Sequence, residues 1–319
     1  MKASMNDAWV VNTVLGKIPS KCLGITYSHE HLAMNPGDPT KYSDSIFDDI
    51  EKIKQDMAEF TSAGGKTIVE MTPLNFGRDV LAYQKISQET GVQVICATGF
   101  HKEEFIPPWL NTSSDNEIID LLKAEIEQGI SDTGIRPGMI KIGTSYQQIT
   151  ALERRIVEIA SVVQQETMLP ISTNCDKGTM ALELCELLKE FGTRPEKVIL
   201  GHVDIPNDAE YLKKICSKGF NVQIDHVGRD KINKDMTKVN LIKALIEGGF
   251  IDQIFLAGDM GKRSYMSSYG GWPGLGYILR EFKGYLLENG INDMEIDHIL
   301  ISNPGRVFGI PAPESLGNE

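Results

Sequence analysis

Eight short, β-rich apolar runs alternate with longer amphipathic stretches over residues 23–290 of this 319-residue chain, and neither a linker nor a shift in composition interrupts them. Together these features predict one α/β domain, residues 1–319, folded as a closed (β/α)8 TIM barrel behind a short N-terminal β-hairpin arm. An open, doubly wound sheet is the competing architecture. It loses support because no G-x-G-x-x-G turn follows the first strand and no G-x-x-x-x-G-K-[ST] loop occurs.

Residues 10–18, containing Val11-Asn12-Thr13-Val14-Leu15-Gly16, read as the hairpin arm. Strands are predicted at 23–27, 67–71, 92–98, 139–143, 169–173, 198–201, 220–224 and 254–257, each a bounded apolar run of strand length. Helices are predicted over 46–63, 117–129, 152–166, 179–191, 209–218 and 238–247, where apolar residues recur at helical spacing and several stretches stop at glycine. Helical stretches after Pro273 and around 295–301 complete the C-terminal end.

A composition of 41% hydrophobic and 24% charged residues supports a large core and excludes a disordered chain. The net charge of −12, without a dense cluster of Lys and Arg, excludes a nucleic-acid surface and leaves a small molecule as the expected partner. The five cysteines, Cys22, Cys96, Cys175, Cys185 and Cys216, contain no C-x-x-C pair, so neither a disulfide framework nor a zinc knuckle is expected. No leader-like segment opens the chain and no run is long enough for a membrane helix; the expectation is a soluble cytoplasmic protein with no membrane partner.

In this fold, chemistry gathers at the C-terminal ends of the strands. There the unusual residues fall. Tyr27-Ser28-His29-Glu30-His31 ends the first strand, and residues two apart in a strand share a face, so His29 and His31 can reach one ion. Lys141 lies in strand four, Asn174 follows strand five, His202 ends strand six, His226 follows strand seven and Asp259 ends strand eight. Each has an ordinary explanation in isolation; their joint placement points to a metal centre. Burial in Met139-Ile140-Lys141-Ile142-Gly143 lowers the lysine pKa, and a neutral amine can add carbon dioxide to give a carbamate able to bridge two cations.

These residues resemble the phosphotriesterase family of the amidohydrolase superfamily, in particular its phosphotriesterase-like lactonases. The motifs are Ser28-His29-Glu30-His31-Leu32, Ile140-Lys141-Ile142-Gly143-Thr144, Gly178-Thr179-Met180-Ala181-Leu182-Glu183, Gly201-His202-Val203-Asp204, Ile224-Asp225-His226 and Gly258-Asp259, spread over nearly the whole chain. The resemblance implies that His29, His31 and Asp259 bind a buried divalent ion, most naturally Zn2+. It further implies that His202 helps bind a second and that carbamylated Lys141 bridges them. The strand-five histidine of the family is absent, and Asn174 stands in its place with an amide oxygen that is a poorer zinc ligand. One ion, or a second one weakly held, is the expectation. Cys175, adjacent to an inward residue in a strand, is expected to point away from the barrel interior.

The implied reaction is attack of metal-bound hydroxide on a small, phosphorylated sugar lactone, with Asp259 receiving the proton and His226 carrying it outward. Arg229, Lys262, Arg263 and Tyr265 in the loops after strands seven and eight are expected to cradle the anionic group. The stretch 269–274 is expected to face the substrate, and His101 to lie on the surface. An N-acyl amidohydrolase and a promiscuous organophosphate esterase are the alternatives using the same centre; a non-catalytic binding protein that lost a ligand at Asn174 is the alternative outside enzymology. Homodimerisation is expected from the resemblance.

Overall fold

A two-stranded antiparallel arm, β1 (Trp9–Thr13) and β2 (Gly16–Pro19), precedes the barrel in the computed structural model, which describes residues 9–231 and 234–312. The barrel wall is built from β3 (Thr26–Glu30), β4 (Thr67–Glu70), β5 (Gln93–Gly99), β6 (Met139–Thr144), β7 (Ile171–Cys175), β8 (Val198–Leu200), β9 (Asn221–Ile224) and β10 (Ile254–Leu256), paired in parallel and in chain order. A final strand, β11 (Ile310–Pro311), returns to pair with β1.

The seam between β10 and β3 is closed by polar contacts. The Ser28 hydroxyl donates to the Leu256 carbonyl (3.0 Å) and the Asp259 N–H donates to the His29 carbonyl (3.1 Å). The buried Glu30 carboxyl accepts the N–H groups of Gly258 (2.7 Å) and Met260 (2.9 Å), binding the first strand to the start of the last loop. Burial pushes Glu30 up to about 8.

Apolar side chains fill two layers. One lies between the strands and the surrounding helices; the other fills the barrel interior with Val69, Met71, Ile95, Ala97, Met139, Ile199 and Phe255. Val11, Leu23, Val307 and Phe308 join the interior cluster from outside the barrel wall, so the arm and the C-terminal helix stopper the N-terminal end. Lys197 fastens that helix by donating from Nζ to the carbonyls of Arg306 (3.1 Å), Val307 (2.9 Å) and Gly309. The site at the opposite end therefore rests on a packed floor.

Several boundaries differ from the sequence reading. The first strand begins at Thr26 and runs through Glu30, because Leu23 turns under the barrel into its interior. The helix expected from residue 46 begins at Ile50, where Asp49 accepts from the Lys52 N–H as N-cap. Helix Val80–Thr90 was not anticipated, although Asp79 caps it and Gly91, at φ 74°, ends it. The helical stretch expected around 295–301 runs from Asp293 to Phe308, and the C-terminal stretches pass through π-helical turns at Ile278–Phe282 and His298–Ser302. Among the described residues, no helix is long and apolar enough to cross a membrane.

Candidate metal centre

Alternation along β3 turns His29 and His31 inward and leaves Glu30 to the closing seam. The Gln223 amide donates to the Ser28 carbonyl (3.0 Å) and hydroxyl (2.7 Å), so its Oε1 faces His29 Nδ1 at 2.9 Å as an acceptor. That places the His29 proton on Nδ1 and leaves Nε2 with a lone pair. A second relay sets His31. The Thr72 hydroxyl donates to Glu70 Oε1 (2.7 Å), so its oxygen accepts from His31 Nδ1 (2.8 Å), and Nε2 is the nitrogen that presents a lone pair once the ring is neutral.

Both lone pairs converge on one oxygen: Asp259 Oδ1 lies 3.6 Å from His29 Nε2 and 3.5 Å from His31 Nε2. Ligands of a tetrahedral zinc with bonds of about 2.0–2.1 Å stand about 3.3 Å apart, so the three atoms fit one divalent ion. Gly261 borders this group. A Cβ there would lie 3.1 Å from His31 Cδ2, 3.6 Å from His31 Nε2 and 3.7 Å from Asp259 Oδ1, so glycine keeps the space beside the donors clear. His202 and Asp259 both have left-handed backbones, at φ 64° and 47°, a strain that aims their side chains into the barrel mouth.

The second group of donors is thinner. His202 Nε2 lies 2.8 Å from Asn174 Oδ1, and His202 Nδ1 lies 3.1 Å from Asp225 Oδ2. Lys141 is buried and has neither an ion pair nor a hydrogen bond among the described residues; burial pushes its amine down to about 8. Lowered this far, the amine has an appreciable neutral fraction near pH 8, the form that carbamylation requires. Cys175 is buried in the outer layer, its thiol 3.4 Å from the Thr173 hydroxyl, and does not face the barrel interior.

Three carboxylates surround the histidines. His226 Nδ1 lies between Asp204 Oδ1 (2.8 Å) and Asp225 Oδ1 (3.0 Å), which directs its Nε2 toward Asp259 Oδ2 at 3.7 Å. Burial works against a charged His226, but the two acids outweigh it and raise the ring to about 10. Burial likewise opposes a charged His31, which contacts with Asp259 and Glu70 raise to about 9. Burial, helped by Lys141, lowers His29 to about 4. Desolvation works against the partly buried Asp259 carboxylate, yet Arg229 and the histidines hold it well below the ordinary carboxylate range.

A cavity of about 170 Å³ opens above these groups, lined by His31, Lys141, Asn174, His202 and Asp259. His29 and His226 are not among its lining residues, and His226 is 3% exposed. Of the expected anion cradle, Arg229, Lys262 and Tyr265 line the cavity. Arg229 is already engaged, donating from NH1 to Asp259 Oδ2 (2.5 Å) and the Asp259 carbonyl (3.0 Å) and stacking 4.5 Å from the Tyr265 ring centre. Arg263 is elsewhere. It pairs with Asp48 (2.6 Å), because successive loop residues need not share a face. Stretch 269–274 also lies off the cavity, with Trp272 61% exposed, whereas His101, expected at the surface, lines it.

The sequence reading missed Asp225, Asp204, Gln223, Thr72 and Glu70. Asp225 and Asp204 had a signal, each an acid within two residues of a strand-end histidine. The other three had none, because only the closed barrel brings them to His29 and His31.

The sequence pattern of the Phosphotriesterase family matches residues 9–308. A phospho-furanose lactonase of Mycoplasmopsis agalactiae is 33% identical over 95% of this chain and 92% of its own length. The crystal structure of a lactonase from Listeria monocytogenes superposes with a TM-score of 0.90 at 31% identity, covering 94% of this chain and 98% of that one. That of the phosphotriesterase homology protein of Escherichia coli, complexed with phosphate in its active site, gives 0.87 at 31% identity, covering 90% and 99%. A match of this extent, on a barrel whose polar groups converge at one rim, makes the chain a hydrolase that belongs to the phosphotriesterase family.

Proposed function

We propose that this protein hydrolyses a small lactone bearing an anionic group, a phosphorylated sugar lactone, at a divalent-metal centre. His29, His31 and Asp259 would hold the inner ion; His202 and Asn174 would contribute to an outer one, and carbamylated Lys141 would bridge the two. The observation that carries the reading is the convergence of two histidine lone pairs, each fixed by its own hydrogen-bond relay, on the Asp259 carboxylate. A divalent ion, zinc by preference for this nitrogen and carboxylate set, polarises the ester carbonyl and lowers the pKa of water when bound.

The residues of the chain supply the rest. Asp259, ionised beside Arg229 and with Oδ2 directed toward His226, would accept the proton released as water adds to the carbonyl. His226, held by Asp204 and Asp225 in the orientation that presents Nε2 to Asp259, would carry the proton outward when its ring is neutral. Arg229 keeps Asp259 ionised and fixes its orientation. Lys262 and Tyr265 line the cavity and would meet the substrate's anion there, a reading supported by the phosphate in the active site of the Escherichia coli relative.

Acid release by the metal-replete protein from phosphorylated furanose lactones, followed with a pH indicator, tests this directly. Comparison substrates are the unphosphorylated lactones, N-acyl amino compounds and neutral organophosphate triesters. The reading requires kcat/KM to be highest for the phosphorylated lactone. Faster release of amine from an N-acyl compound would replace it with an amidohydrolase. Inactivity on every substrate despite bound metal would leave a binding protein.

A further inference from the structure

Where the family carries a strand-five histidine, this chain has Asn174, but a different strand brings an imidazole to the same stretch of wall. His101 follows β5, and its ring folds over Gly143 on β6: a Cβ on Gly143 would lie 3.2 Å from His101 Nδ1. Gly143 is the register partner of Asn174 on β7 and lies two residues beyond Lys141, on the same face of its strand. The His101 ring therefore sits beside both Lys141 and Asn174, and all three line the cavity. Its position is well fixed. The His101 N–H donates to Asn75 Oδ1 (2.9 Å), the ring stacks on Phe105 (4.7 Å between centres, 19° between planes), and Phe76 meets it edge-on at 5.3 Å. Within this scaffold Nδ1 is shielded from solvent and has no hydrogen-bond partner among the described residues, an arrangement that folding leaves uncompensated unless something binds there.

We propose that His101 is a ligand of the outer ion, its imidazole replacing from strand three the one that Asn174 removed from strand five. With His202 and Lys141 it would restore a nitrogen-rich donor set, and Asn174 would become an auxiliary oxygen. The inference rests on the divalent-metal reading above, yet adds a residue that neither the motifs nor the ligand pattern of the family supplies. Gly143 is part of the arrangement, since a Cβ there would lie 2.6 Å from the Lys102 backbone nitrogen and press on the ring at 3.2 Å.

The test is ion stoichiometry, independent of turnover. Full-length protein is equilibrated with zinc and bicarbonate, and bound metal is measured by mass spectrometry and by chelator competition. Wild type should hold two ions per chain. His101→Phe, which keeps the stacking on Phe105, should hold one, with outer-ion affinity reduced at least about a hundredfold. His101→Asn gives the same answer should the phenylalanine variant fold poorly. Adding Asn174→His to His101→Phe should restore the second ion. Two ions in His101→Phe with affinity within about threefold of wild type, or one ion in wild type, would overturn the inference and leave the lactonase reading standing. A wild type that binds none would remove both.

Discussion

Replacing Thr72 by Val removes one hydroxyl and tests whether buried hydrogen bonds aim the metal ligands. Thr72 is fully buried, and its oxygen is the link between His31 Nδ1 (2.8 Å) and Glu70 Oε1 (2.7 Å). Without it, Glu70 Oε1 is the nearest charged acceptor for His31 Nδ1, at 3.7 Å, too far for a hydrogen bond. The ring then loses both its fixed orientation and the preference for a lone pair on Nε2. Losing such a partner weakens metal affinity by about 10–100-fold, or about 1.4–2.7 kcal/mol. Folding should lose about 1–3 kcal/mol, the cost of a hydrogen bond to a charged group, moderated because Glu70 still accepts the N–H groups of Leu32 and Thr72. Chelator competition measures the affinity and urea unfolding of the apo-protein measures the stability. Thr72→Ser, which keeps the hydroxyl, should stay within about threefold of wild type. Zinc affinity unchanged in Thr72→Val would refute the argument that this relay sets the ligand.

Asp259→Asn should cut kcat by about a thousandfold or more while the far-ultraviolet circular dichroism stays that of wild type, because the amide keeps the shape but accepts a proton poorly; wild-type rates would remove Asp259 from the chemistry. Lys141 offers a pH test. With its amine lowered to about 8 by burial, the neutral fraction rises about tenfold per pH unit below that value and levels off above it. Bicarbonate-dependent zinc uptake by the apo-protein, at fixed dissolved carbon dioxide, should follow that curve, and uptake still climbing beyond pH 9 would indicate an ordinary lysine. Lys262→Ala should raise KM for a phosphorylated lactone about tenfold, the equivalent of about 1.4 kcal/mol. Arg263→Ala, whose guanidinium is held by Asp48, should change KM less than about twofold, and a reversal of that order would misplace the anion site.

Much of this molecule can be read from its sequence because a barrel turns chain order into spatial order. Strand-end residues as far apart as His29 and Asp259 meet at one rim, so polar residues that interrupt apolar runs point to the candidate site before any distance is known. Helix Val80–Thr90 escaped notice because Leu81, 59% exposed, breaks the apolar period while the buried Tyr83 and Ser87 carry polar groups. The loops defeat sequence reasoning for a related reason. Lys262 and Arg263 are neighbours of one charge, yet one lines the cavity and the other pairs with Asp48, and no periodicity governs the difference. Contacts such as His29 with Gln223 join residues 194 positions apart and exist only in the closed barrel.

Anomalous scattering at the zinc edge, from crystals of protein purified with zinc and bicarbonate, bears most directly on the metal centre. A peak about 2.0–2.2 Å from His29 Nε2, His31 Nε2 and Asp259 Oδ1, beside a Lys141 side chain extended by a carboxylate, is the expected result. No peak within bonding distance of those atoms in zinc-replete crystals, with Lys141 remaining a simple amine, would contradict it.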